Sequence, residues 1–331
     1  MRHLRHAEIN YAQWDAAIEQ AANGLVYALS WYLDAASPGW EALVAEAAGE
    51  YVAVMPLPVQ QKLGLRYLKQ PVFAQQFGLF YRPHAAPTAA DWQAIGQLLR
   101  HHFRFITKYS FNTGNPELLA TNALGLPGQP MATYHLALHP PYAALQQGYN
   151  QNRRRHLARA RQQGLHLEPA TDLELLIQLF ADNTAGNIYG LLGEGHEYPQ
   201  LRALYQAAQQ AGKASFWQAR TAAGAVVAMV LLWQFKGQLV YIFNASTPTG
   251  KAEGAVTLLL DEIFQTHAGQ PLIFDFEAPP VPSLQQFYRG FGAVPAPFLT
   301  ITYNGLPWPL KQLNATRIAV QRRLLAYWRR G

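Results

Sequence analysis

The residues of this chain best suited to chemistry gather in its second half. Asp275 and Glu277 stand two apart in QPLIFDFE (270–277), a run that reads as a strand. On a strand, such a pair points to one face, and Phe274 and Phe276 take the other. A carboxylate at a strand end can accept a proton from an incoming amine, and Glu277, nearer the C-terminal end, is the better placed of the two. Without a ligand, the same pair reads as rim charges, one of them matched to an arginine. A second group is Gly250–Gly254, where a strand gives way to an apolar helix. Free N–H groups at a helix start, with the Lys251 ammonium beside them, suit a phosphate. Glycines there also suit an ordinary turn. A third group is the basic run NQNRRRHLARARQQG (150–164). Arg153, Arg154, Arg155, Arg159 and Arg161 surround that helix, which could grip tRNA or a nucleotide diphosphate. The commoner meaning of such a run is a solvated face. The chain has 11 histidines, densest at His101, His102, His135 and His139, but no HExxH spacing. No metal site is expected.

These groups need elements to hold them. In the second half, helices are expected over 150–164, 171–182 and 198–211. The period then changes to two, giving strands over 213–220, 226–235 and 238–246. A helix over 250–269 follows, with Leu258, Leu259, Ile263 and Phe264 on its apolar face. After it come the strand 270–277, three prolines, a short helix holding Phe287 and Tyr288, and a strand over 297–304. The first half is a vaguer mixture. A helix is expected over 7–22 and strand-like stretches over 25–36 and 50–61, the latter broken by Pro56 and Pro58. Residues 63–80 alternate loosely. An amphipathic helix follows over 89–102, with strands over 103–111 and 131–138. Residues 317–329 read as a basic amphipathic helix that could touch an anionic membrane surface or dock on its own domain.

Composition sets the outer limits. At 331 residues and 50% hydrophobic, the chain suits two domains with sizeable cores. We place them at 1–144 and 145–331. Only 14% of residues are charged and 12% are aromatic, which excludes a disordered chain. The net charge of +6 favours anionic partners without choosing among them. The absence of cysteine excludes thiol catalysis, disulfides and thiolate metal sites. The N-terminus lacks the apolar core of a signal peptide, so a cytoplasmic protein is expected.

The order of elements resembles the Gcn5-related N-acetyltransferase (GNAT) fold. Phe287-Tyr288-Arg289-Gly290-Phe291-Gly292 is similar to that family's Phe-Tyr-x-x-x-Gly helix end. Its phosphate turn, Gln/Arg-x-x-Gly-x-Gly/Ala, is matched at Gly254 only, with Lys251 and Val256 departing from it. The Asn and Ala usual before the Tyr would fall at Val281 and Leu284, and both depart. The arginine-rich helix, FDFE and FYRGFGA resemble the FemABX-like branch, in which two such domains occur in tandem. This specific resemblance spans about residues 145–305, and residues 1–140 follow by architecture only.

The resemblance implies an α+β fold of two tandem GNAT-like domains, the first degenerate. It implies acyl or aminoacyl transfer from a thioester or aminoacyl ester to a small-molecule or peptide amine. The donor would be acyl-CoA as co-substrate or aminoacyl-tRNA, with no tightly bound cofactor and no DNA partner. Tyr288 would be the general acid, with Glu277 or Asp275 as base. Gly250, Lys251, Gly254 and Ala255 would hold the donor, and Arg154, Arg155, Tyr241 and Asn244 the substrate. The alternative is a degenerate relative that only binds an anionic ligand or envelope precursor. The oligomeric state stays open.

Overall fold

A computed structural model describes residues 1–62, 64–183, 197–309 and 311–312. The expected helix over 317–329, with its membrane reading, lies outside them. In the first half the strands are β1 (Arg2–Leu4), β2 (Glu41–Ala47), β3 (Glu50–Leu57), β4 (Val59–Lys62), β5 (Leu65–Lys69), β6 (Phe80–Tyr81), β7 (Phe105–Ser110) and β8 (Gly128–Ala137). The helices among them are α1 (Tyr11–Gln20), α2 (Ser30–Ala36), α3 (Ala89–His102) and α4 (Glu117–Ala120). The second half begins with α5 (Tyr142–Gln147), α6 (Gln151–Arg161), β9 (His166–Pro169), α7 (Leu173–Asn183) and α8 (Glu197–Gln210). Then come β10 (Ala214–Arg220), β11 (Val226–Phe235), β12 (Gln238–Ser246), α9 (Pro248–Glu253) and α10 (Ala255–His267). The described elements end with β13 (Ile273–Asp275), α11 (Pro282–Arg289) and β14 (Val294–Asn304).

Among the described residues there are two sheets. The smaller runs β1-β2-β3-β6, and the larger runs β4-β5-β7-β14-β8-β13-β12-β11-β10-β9. The larger sheet joins the two halves by interleaving them. β8, from the first half, pairs antiparallel with β13 on one side and β14 on the other, and β14 in turn pairs with β7.

β11 explains its own unbroken apolar sequence. Met229, Leu231 and Trp233 enter the core shared with the N-terminal helices, while Ala228, Val230 and Leu232 enter a second core under α10 and α6. A strand buried on both faces needs no polar alternation.

Three expectations are corrected locally. Residues 25–36 form a single 3-10 turn and α2 rather than a strand. The Asp15 carboxylate, on α1, accepts the Ser30 N–H at 2.7 Å and its hydroxyl at 2.6 Å, so a remote element caps α2. The helix over 250–269 is divided at Gly254, whose φ of 74° ends α9 and starts α10. The strand over 270–277 pairs only at 273–275. Beyond Asp275 its backbone turns away, and Glu277 sits at φ 45°.

Candidate functional site

The site begins where two parallel strands part. β12 and β13 pair at Gln238–Ile273, Leu239–Phe274 and Val240–Asp275, and no further. β12 runs on to Ser246 while the other chain turns away toward α11, which opens a V. A bulge at Ile242 marks the same point: Leu231 pairs with Phe243 and Leu232 with Tyr241, leaving Ile242 extra. Bulges re-aim side chains and free backbone groups from the ladder.

A cleft of about 550 Å³ lies at the V. Its walls include Tyr241, Asn244 and Ser246 of β12, Gly250 and Lys251 of α9, and Gly254. Val256 and Thr257 of α10, Arg153 and His156 of α6, and Phe287 and Tyr288 of α11 complete them. Most of the residues assigned from sequence to donor, substrate and acid roles therefore meet here. Not all do. Ala255 is buried beneath the turn. Arg154 turns back to donate to the carbonyls of Tyr149 and Gln147. Arg155 lines a neighbouring groove with Arg159 and Lys251. Arg161 is structural, because it joins Tyr142 and Tyr149 in donating to the buried Asp261 carboxylate of α10.

Gly250 is glycine for a packing reason: a Cβ there would come within 2.2 Å of the Val227 carbonyl oxygen. The Thr247 hydroxyl caps α9 by accepting the Gly250 N–H. The start of α10 has no side-chain cap, since its N-cap is Gly254. Its first N–H groups therefore keep their capacity for an anion.

Arg153, named from sequence only as one of the basic run, is the functional candidate that the sequence did not single out. It is buried, donating from Nη1 to Thr257 Oγ1 at 2.9 Å and from Nη2 to the Phe287 carbonyl at 3.3 Å. Its guanidinium carbon lies 4.0 Å from the Phe287 ring centroid and 4.5 Å from that of Phe291. Its Nε has no partner, and no carboxylate pairs with it among the described residues. Burial pulls its pKa down to about 10, so it stays cationic at neutral pH. The only local sequence clue is Asn150, whose side chain accepts the Arg153 N–H and so fixes where the helix begins.

Tyr288 stacks on Phe276, with centroids 4.5 Å apart, and reaches the cleft wall. Its hydroxyl makes no hydrogen bond among the described residues. Burial, then the charge of Glu277, raises its pKa, which keeps the phenol protonated.

The two carboxylates have separate surroundings. Asp275 is buried and accepts from the Thr133 hydroxyl at 2.5 Å and the Glu277 N–H at 2.9 Å, with His135 Nε2 at 3.4 Å. It holds the chain exit together. Glu277 is half-buried in a different cavity, which is lined from both halves of the chain. The Tyr27 hydroxyl donates to it at 2.8 Å and the Gln75 N–H at 3.2 Å. Burial, reinforced by Asp275, pushes Glu277 up to about 8, against those hydrogen bonds and the Lys108 cation. Among the described residues, no three His, Asp or Glu side chains are grouped to hold a metal. No described helix is long and apolar enough to cross a membrane.

Comparison with known proteins fits this geometry. Residues 149–277 match the family model described as an acetyltransferase (GNAT) domain. This region is similar to a GNAT domain. No curated protein matches the chain in sequence. In fold, the whole chain resembles FemX, with TM-score 0.63 and 14% identity over 95% of this chain and 99% of that one. It also resembles a tandem GNAT protein from the clavulanic acid biosynthesis pathway, with TM-score 0.53 and 15% identity over 92% and 99% of the two chains. A third likeness is the C-terminal domain of an Agrobacterium fabrum protein described as a lysylphosphatidylglycerol synthetase. There the TM-score is 0.56, with 13% identity over 92% and 95%. At these identities the likeness is one of fold: an α+β, tandem GNAT architecture. The matched region supplies the two strands of the V and the turn, and α11 beyond it adds Phe287 and Tyr288 to the cleft.

Proposed function

We propose that the protein transfers an acyl group from a thioester to an amine, with the donor in the cleft beside Gly250–Gly254. The observation that carries this reading is the parting of β12 and β13 after Val240 and Asp275, beside an anion-ready helix start. The thioester arm of such a donor can enter the V, while the donor's phosphates meet the α10 N–H groups, Lys251 and Arg153. An open V suits acyl-CoA better than aminoacyl-tRNA, which calls for a bulkier, closed-gap channel.

The chemistry assigned to each residue follows from its surroundings. Glu277 takes a proton from the acceptor ammonium, and the free amine attacks the acyl carbon. The C–S bond then breaks and the acyl group stays on nitrogen; the Tyr288 hydroxyl protonates the leaving thiolate and is restored by the second proton, which the acylated nitrogen releases. In this reading, backbone groups freed at the Ile242 bulge polarise the acyl carbonyl. A carboxylate with a pKa of about 8 is matched to amine deprotonation near neutral pH. The division into domains 1–144 and 145–331 is part of the proposal, with the first half completing the Glu277 site.

The test is thiol release from acetyl-CoA in the presence of amines. With no cysteine in the chain, a thiol reagent reads free CoA without background from the protein. Release dependent on amine, and lost in Y288F together with E277Q, supports the reading. Tight acetyl-CoA binding with no turnover against a broad amine panel would favour a binding protein instead, the reading that the departures at Lys251 and Val256 motivate.

A further inference from the structure

The cavity around Glu277 has features that the donor cleft does not use. It measures about 300 Å³, near the lower end of small-ligand sites. Its walls are mainly apolar, including Phe73, Met131 and Phe298. Two charged groups line it, Glu277 and Lys108. Lys108 is exposed and has no ion pair within salt-bridge distance among the described residues. Glu277 is held with φ 45°, a left-handed conformation uncommon outside glycine. Tyr27 and Gln75 fix it from the first half, and Gln75 Nε2 also donates to the Ala278 carbonyl at 3.1 Å. Backbone strain clamped by such contacts marks functional positions. The chain then passes directly from this cavity to the cleft: Glu277–Pro280 line the one, and Ser283–Tyr288 the other.

We propose that this cavity is the acceptor site, and that it selects an amine on a short apolar stem that also carries an anionic group. The amine meets Glu277, the stem lies against Phe73, Met131 and Phe298, and the anion meets Lys108 at the mouth. This rests on the transfer reading above for its purpose, but not for its existence as a binding site.

The test uses 6-aminohexanoate and hexylamine as probes, with binding measured by ligand-observed NMR on the full chain and no donor present. Wild type binds 6-aminohexanoate more tightly than hexylamine. K108E weakens 6-aminohexanoate at least about fivefold and strengthens hexylamine, a reversal that a purely structural lysine would not produce. M131W, which fills the cavity, removes both. The assignment is overturned if neither amine binds wild type, if K108E moves both probes the same way, or if both still bind a folded M131W. Acetyl-CoA binding is titrated on the same preparations. Amine binding with the K108E reversal, in a protein that ignores acetyl-CoA, keeps this site and removes only the thioester reading.

Discussion

The cleft and the Glu277 cavity lie along one stretch of chain and are built on different electrostatic plans. Among the described residues the cleft is lined from Asn150 onward, and its charged residues are Arg153 and Lys251, with no carboxylate. The cavity draws on residues 71–75, 108 and 131–132 as well as 277–280, 298 and 300, and it holds a carboxylate clamped by the first half. In the proposed reading, one holds the donor's anion and the other handles a proton, with the interleaved sheet bringing the first half in beside Glu277.

The sharpest way to break this contrast is Glu277→Gln. Transfer should fall about 100-fold to 10,000-fold, while acetyl-CoA affinity stays close to wild type. In wild type, kcat/KM should rise with pH through about 8, as Glu277 loses its proton, and the rise should vanish in the variant. An unchanged pH profile would remove Glu277 as base. The same group predicts a stability effect. Glu277 binds its proton more tightly in the folded chain than at its usual 4.5, so its contribution favours folding at low pH. That contribution should fade as pH rises from about 4.5 to about 8, and thermal melts of wild type against E277Q would show it.

Tyr288→Phe keeps the ring on Phe276 and removes only the hydroxyl. We expect kcat lower by about 10- to 100-fold, because a thiol with a pKa near 8.5 needs only modest help to leave. Steady-state kinetics that moved donor KM instead of kcat would make Tyr288 a binding residue. Arg153→Met should weaken acetyl-CoA binding by about tenfold or more, since hydrogen bonds to charged groups contribute about 1.5–3 kcal/mol. Calorimetry showing unchanged affinity would assign Arg153 to bracing α6, α10 and α11 alone. The smallest effect is Tyr27→Phe. It removes a donor to the Glu277 carboxylate, so the Glu277 pKa should rise further. The rate profile should move to higher pH, with about a threefold loss at neutral pH. A downward shift would show that the first half does not stabilise the charged form.

Much of the second half was legible because its signals are local. β11 and β12 appear where the apolar runs put them. Phe287 and Tyr288 fall on a short helix at the cleft as their spacing suggests. The failures share a physical cause. α2 is capped by Asp15 from another helix, and β13 is cut short because Asp275 captures the Glu277 N–H and the Thr133 hydroxyl. In each case a partner distant in sequence overrides a local preference.

The sequence by itself determined the elements of the second half, the turn at Gly250–Gly254 and the aromatic helix, because helix period, strand period and glycine conformation act over a few residues. Only the tertiary structure decided which charges are free and which are spent. It buried Arg153 without a counter-ion among the described residues, gave Arg161 to Asp261, and gave Asp275 and Glu277 different hydrogen-bond partners. A charge takes its role from the solvent and partners around it, and in this fold those partners come from as far along the chain as Tyr27 is from Glu277.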